Sequence, residues 1–242
     1  LYIDDVLVIL GRAGPNATQL LLDLLVGAPT FAERRAYMSA LSKLGEGTNN
    51  VIAMLNHHQW YVVRNIADLS AELGLEEAIP ELGTVADHQD ARVRKSVAIA
   101  LARIGTPAAA RHLHVSLRDE DPDVRLTVAR ELKGAGLSGL IMPLANELER
   151  EEDPGIREEL CRALGRIGNS DAVRALENVA RRKGRMFTQQ RPSGDRCAAI
   201  EGLALAGGDG ARQVLRDLTK DRDRDVRKAA EAGLISLENK RD

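Results

Sequence analysis

An all-α solenoid of about seven helix pairs is the fold this sequence predicts, and three observations predict it. The first is a recurring segment: a polar turn, an Arg, then an Ala- and Leu-rich run whose apolar residues fall every three or four positions, as in DPDVRLTVARELKGAG from Asp121 to Gly136. Related segments are set on Arg34, Arg64, Arg94, Arg157, Arg196 and Arg227. The second is a Leu two helical turns beyond most of these arginines: Leu41, Leu101, Leu132, Leu164, Leu203 and Leu234. The third is composition, 44% hydrophobic with only 2% aromatic residues. Ala, Leu, Arg and Glu dominate, and these are helix formers.

The opening residues LYIDDVLVILGRAG fit the second helix of a pair, because laying Gly14 on Gly105 brings Val6, Leu10 and Ala13 onto Val97, Leu101 and Ile104. The chain is therefore expected to start inside a repeat and to be a piece of a longer solenoid, since an end repeat carries a polar cap. Helices A and B are then expected as 15–26 with 31–44, 49–55 with 60–73, 75–86 with 91–104, 107–117 with 122–133, 137–148 with 154–167, and 209–219 with 225–237. Asp90, Asp121 and Asp153 stand where a carboxylate caps free helix N–H groups. Pro122 and Pro154 follow at the first helical position, where a missing N–H costs nothing. Glycines close the pairs at Gly45, Gly74, Gly105, Gly136, Gly168 and Gly207. Their spacing is about 31 residues, apart from the last interval. The surplus there falls in RRKGRMFTQQRPSGDR, 181–196, which has no helical apolar pattern and is strongly basic. It reads as an inserted loop in a single solenoid covering 1–242.

With 34 basic and 36 acidic residues the net charge is −2, far from that of a dedicated nucleic-acid binder. Charge is informative only locally. The Arg column reads as structural: Arg94, Arg125, Arg157 and Arg227 each open a B helix near a turn carboxylate, such as Asp121 for Arg125 or Asp223 for Arg227. These are expected to form an Arg-to-Asp ladder joining the repeats. A second stripe lies along the B helices, at Arg35, Ser39 and Lys43, Lys95, Ile99 and Arg103, Leu126 and Arg130, and Glu158, Arg162 and Arg166. Its cations make Lys43, Lys95, Arg103, Arg130, Arg162 and Arg166 candidate contacts for an acidic peptide. In the inserted loop Arg181, Arg182, Lys183, Arg185, Arg191 and Arg196 surround Met186 and Phe187. Steering cations around an apolar anchor make Arg182, Arg185 and Phe187 further candidates.

Cys161 and Cys197, the two cysteines, lack metal or redox spacing and read as small buried residues of a reducing, cytoplasmic protein. His57 and His58 are adjacent and His88 lies in a later turn, a poor set for a metal. Trp60 and Tyr61 stand out in a chain so poor in aromatics and are expected to pack a particular repeat. No apolar run is long enough to span a membrane. GxSxG, Walker A and HExxH motifs do not occur, and no catalytic residue, metal ligand or cofactor is assigned.

SVAIALARIGTPAAARHL (96–113) and CRALGRIGNSDAVRAL (161–176) closely resemble HEAT repeats of the short bacterial type also found in phycobilin lyases. The resemblance implies a right-handed superhelix with A helices outside and B helices lining a concave face. Ile3 in place of Arg, the short second pair and the inserted loop depart from the pattern. Related enzymes are a poor match, since deoxyhypusine hydroxylases carry His-Glu metal motifs, and no His-Glu dipeptide occurs here. HEAT-like alkylpurine glycosylases likewise need an aromatic, basic groove. The function expected is a non-catalytic scaffold that binds a protein or peptide of acidic character on its concave face or basic loop. The alternative is a tetrapyrrole chaperone or bilin lyase. A compact globule of this length has a radius of gyration near roughly 18 Å, whereas stacked helix layers about 8 to 10 Å apart give an elongated body, and small-angle scattering distinguishes the two.

Overall fold

The computed structural model describes residues 15–43, 47–181 and 192–239, and all regular structure among them is helical. The expected first segment, the glycine at position 45 and most of the inserted loop lie outside the described residues. The chain divides into two compact units, Leu1–Ala100 and Leu101–Asp242.

Unit 1 begins with α1 (Pro15–Gly27) and α2 (Phe31–Lys43). Between them the sequence T-F-A-E forms a capping box. Thr30 Oγ1 accepts from the Glu33 N–H (3.3 Å), and the Glu33 carboxylate accepts from the Thr30 N–H (3.1 Å). Next come α3 (Gly47–Ala53), a 3-10 turn at Met54–Asn56, and α4 (Trp60–Leu73). Another 3-10 turn, Glu76–Ala78, leads into a short α5 (Ile79–Thr84), and α6 (Ala91–Ile104) carries the chain across the division. The uninterrupted helix expected over 75–86 is thus broken. Pro80 near the start of α5 and Gly83 within it shorten the helix.

Unit 2 continues with α7 (Pro107–Ser116), α8 (Pro122–Glu131), a 3-10 segment Ala135–Leu140, α9 (Ile141–Leu148) and α10 (Pro154–Ile167). It ends with α11 (Ser170–Ala180), α12 (Ser193–Ala206), α13 (Gly208–Leu218) and α14 (Arg224–Asn239). The capping signals act as expected. Asp121 Oδ1 accepts from the Asp123 N–H at 2.8 Å, and Asp153 Oδ1 accepts from Gly155 (2.7 Å) and Ile156 (3.0 Å). Gly136 does not close α8, which ends at Glu131, and the left-handed residue there is Gly134 with φ 90°. Gly136 is required for another reason: a Cβ at this position would collide with the carbonyl oxygen of Gly105.

Helices α8, α10, α12 and α14 pack side by side in one layer, and α9, α11 and α13 pack in the other. The Leu column fills the seam: Leu132, Leu164 and Leu203 are fully buried, with Leu113, Leu144, Leu176 and Leu215 opposite them. Leu234 breaks the series and is only half-buried, its neighbour Gly233 being the buried residue. Helices α10 and α12 approach at Gly165 and Gly202. A Cβ on Gly202 would lie 2.5 Å from the Cys161 carbonyl oxygen and 2.8 Å from Leu176 Cδ2. Leu164→Ala is expected to cost about 2 to 5 kcal/mol by opening a cavity, and Gly202→Ala about 1 to 3 kcal/mol by forcing the two backbones apart. Both are read from denaturant unfolding curves.

Candidate functional site

The face of interest is made by the B helices, and the Arg column sets their entry. Each guanidinium closes the turn that precedes its helix. Arg125 Nη1 donates to the carbonyls of Asp119 (2.8 Å) and Glu120 (3.3 Å). Arg157 Nη1 does the same to Glu151 (3.0 Å) and Glu152 (2.8 Å). Arg227 Nη1 reaches Asp221 (2.8 Å) and Arg222 (3.0 Å). In unit 1, Arg94 reaches His88 (3.0 Å) and Gln89 (3.1 Å). A tight reversal leaves carbonyls without backbone partners, and a planar fork of donors supplies them.

In Arg125, Arg157 and Arg196 other guanidinium nitrogens reach forward to the next repeat. Arg125 meets Glu151 through Nε (2.8 Å) and Nη2 (3.1 Å), Arg157 Nε meets Asp195 (2.9 Å), and Arg196 Nη2 meets Asp221 (2.5 Å). A ladder therefore joins the repeats of unit 2, but its carboxylates are not the expected ones. Asp121 caps α8, and Asp223 accepts from the Asp225 N–H (2.9 Å) and Ser193 Oγ (2.5 Å). Burial pushes the Glu151 carboxyl up, but the Arg125 hydrogen bond and the N–H groups of Asp153 and Glu152 outweigh it and hold it below the usual carboxylate range.

Two residues counted among the loop cations are fixed by the repeats on either side, and Arg196 keeps its predicted place in the column. Arg196, counted among the loop cations, lies in α12 with 1% exposure and donates through Nε to the Ala180 carbonyl at 2.8 Å. Arg181, at the other end, sits just past α11 and pairs with Glu177 (2.7 Å) and Asp217 (2.6 Å). The described structure thus resumes at residue 192 with the column intact, and the insertion is narrower than 181–196. Arg64 is out of register. Gln59 stands in the N-cap place, so buried Val63 takes the column position. Arg64 instead lies 5.5 Å from the Trp60 ring centroid, while Arg92 covers that ring at 3.5 Å. The Arg92 fork is held by Asp90 at 3.0 and 2.6 Å, and this pairing keeps the Asp90 carboxyl down at about 2. Trp60 is therefore a packing post in unit 1. Tyr61 beside it is 39% exposed, its hydroxyl donating to Gln59 Oε1 at 2.7 Å.

His57 and His88 are turn residues too. His57 Nδ1 accepts from the Gln59 N–H at 3.1 Å and His88 Nδ1 from the Asp90 N–H at 3.0 Å. Carboxylates of Asp119 and Asp221 do the same job in unit 2, for Asp121 and Asp223. Among the described residues no three His, Cys, Asp or Glu side chains converge on a possible metal site. Burial pushes the Cys161 thiol up to about 12 and raises Cys197, so neither is a ready nucleophile.

Of the partner-contact candidates, Phe187, Arg182 and Arg185 lie outside the described residues, as does the side chain of Lys43. Lys95 is half-buried in unit 1, and Arg130 is exposed in unit 2. Arg103 pairs with Glu131 at 3.0 Å. Arg166 is committed to structure: its Nε and Nη2 donate to the carbonyls of Leu132 (2.9 Å) and Ala129 (2.6 Å) at the end of α8, and its Nη1 meets Glu159 at 2.9 Å. Arg162 is surrounded by Glu201 (3.0 Å), Glu159 (3.3 Å) and Glu158 (3.5 Å). The stripe read as a cationic surface is therefore neutralised from within at these two positions. Glu159, two places after Arg157, lies off the stripe of positions one, five and nine, whereas Glu201 and Leu205 occupy it five and nine places after Arg196, in the one long repeat where the stripe was not followed.

The same two arginines wall a groove of about 570 Å³ over α12. Glu201, Ala204 and Leu205 form its base, and α14 supplies the far wall with Ala229, Ala232, Gly233 and Ser236. Leu205 is 43% exposed there. A second groove, of about 800 Å³, runs between α9 and α11 on the opposite layer, beside the exposed Met142. The α12 groove is the candidate site because it joins exposed apolar surface to the stripe that the sequence singled out.

The family model for HEAT repeats matches residues 48–116 and 111–191. No curated protein matches the sequence. Among solved structures, an engineered protein is 20% identical over 78% of this chain and 96% of its own, with a TM-score of 0.47. Human deoxyhypusine hydroxylase in complex with glycerol is 17% identical, covering 96% of this chain and 98% of its own, with a TM-score of 0.38. A designed armadillo repeat protein is 17% identical, covering 92% of each chain, with a TM-score of 0.35.

Truncating Arg166 to Ala strips two helix-terminal carbonyls of their donor and is expected to cost about 1 to 3 kcal/mol. Arg103→Ala removes one exposed ion pair and is expected to stay within about 1 kcal/mol. Equal effects in denaturant unfolding would contradict the capping role.

Proposed function

The chain belongs to the HEAT-repeat family, and from that premise we propose that it is a non-catalytic scaffold holding a protein partner in the α12 groove of unit 2. One observation carries the reading: Leu205, 43% exposed, lies at the base of a groove whose far wall is built from Ala229, Ala232, Gly233 and Ser236. Exposed apolar surface in a concave, polar-rimmed setting is the usual mark of an interaction site. The rigid seam of buried leucines beneath it holds the groove in shape without the partner.

No helix among the described residues is long and apolar enough to cross a membrane. The two unpaired cysteines suit a reducing, cytoplasmic setting. The partner's energy of binding is expected to concentrate on whatever side chain fills the space above Leu205.

The test is to purify partners from the source cell with the unaltered chain and with Ala232→Trp, which fills the groove from an exposed helix position without adding charge. A partner held by the first and lost by the second, at equal helicity and melting temperature, is the expected result. Equal recovery by both would reject the groove. Titration with a linear tetrapyrrole should leave the absorbance spectrum without a saturable change. A saturable change would favour the chromophore-chaperone alternative.

A further inference from the structure

The charges that rim the α12 groove define the kind of segment it accepts. This step rests on the scaffold reading and concerns the chemistry of the occupant. Arg162 is one positive charge within 3.5 Å of three carboxylates, those of Glu201, Glu159 and Glu158. Arg166 offsets Glu159 at 2.9 Å, but its other donors are consumed by the Leu132 and Ala129 carbonyls. Of these groups Arg162, Arg166 and Glu201 line the groove, and Glu158 and Glu159 stand behind the two arginines; across the five, two guanidiniums meet three carboxylates, so the charge of Glu201 is only partly offset. It is also the charge nearest solvent. The side chains of Glu201 and Glu158 are 57% and 49% exposed, against 35% for Arg162 and 26% for Arg166.

Backbone chemistry narrows the occupant further. An extended peptide would bring unpaired N–H and C=O groups against walls of Ala204, Leu205, Ala229 and Ala232, which offer side chains without donors or acceptors. A helix satisfies its own backbone and needs only shape and an apolar stripe. The small residues of α14 allow a helix axis to approach to about 8 Å, the close end of the usual range.

We propose that the groove receives an amphipathic helix of a partner protein that sets an aliphatic side chain on Leu205 and, about one turn away, a Lys or Arg against Glu201. The cation takes the share of Glu201 that Arg162, divided among three carboxylates, leaves unmet. Complementary charge of this kind fixes register and suppresses wrong partners. It reverses the sign expected from the sequence stripe, because the cations of that stripe are already engaged.

The experiment is a selection on the full chain from a displayed library in which one face of a single designed helix is randomised. Enriched helices are expected to place Lys or Arg beside Leu, Ile or Met. Their affinity should fall about tenfold or more on Glu201→Gln and on Ala232→Trp, and should hold or rise on Arg162→Gln, with melting curves checked for each variant. Helices that lose affinity with Ala232→Trp but carry acidic or uncharged consensus residues, or ignore Glu201→Gln, overturn the inference and leave the groove standing. Helices insensitive to Ala232→Trp, or no enrichment at all, overturn the groove and the inference together. The charge of the consensus is read from the selected sequences themselves, so it is decided even if a variant of this chain fails to fold.

Discussion

The Arg that opens the B helices of unit 2 is the interaction on which those repeats depend. It does two things at once. In Arg125, Nη1 satisfies the carbonyls of Asp119 and Glu120 in the preceding turn while Nε and Nη2 reach Glu151 of the following repeat, and in Arg196 the roles are exchanged, Nε taking the Ala180 carbonyl and Nη1 and Nη2 reaching Asp221. Lysine has the charge but not the fork, so only Arg can hold both at fixed geometry. Because Asp221 both accepts from Arg196 through its carboxylate and presents its carbonyl to Arg227, each link of unit 2 constrains the next. Nearest-neighbour coupling of this type is what lets a repeat array do without a central core.

The same column explains how the array tolerates its insertion. Arg196 takes the Ala180 carbonyl although the chain between them is longer than in any other pair. The contact between Arg196 and the Ala180 carbonyl ties the two ends of the turn directly. Loop length adds only slowly to the entropy of closure, which keeps such an insertion cheap. In unit 1 the second pair departs the other way. With Val63 in the column position, the hydrophobic seam and the Trp60 post under Arg92 take over the fixing role.

The proposed function rests on what the column leaves free. Fixing the starts of α10, α12 and α14 presents one face of each as a continuous surface, and the small residues of α14 open the groove above α12. That surface is apolar at its base and bears competing charges at its rim. In the proposed reading its preferences rest on guanidiniums and carboxylates that come from two different helices, Arg162 and Glu159 on α10 and Glu201 on α12.

The sequence alone determined the helical class, the pairing, most helix limits and the buried Leu seam, because each depends on local signals. The spacing of Leu132, Leu164 and Leu203, the Asp caps with Pro122 and Pro154, and the turn-closing role of positive-φ Gly74 and Gly168 all act within one repeat. The capping box of Thr30 and Glu33 is equally local, and its T-x-x-E signal went unread in the sequence. Tertiary structure decided the rest. That Gly136 stands against the Gly105 carbonyl, that Arg196 is buried, and that Arg162 is already held by Glu201 depends on residues about one repeat apart or on the path of an insertion. A charge in sequence has a sign but no partner, and whether it is a site or a strut is fixed only when packing brings the opposite charge within about 4 Å of it.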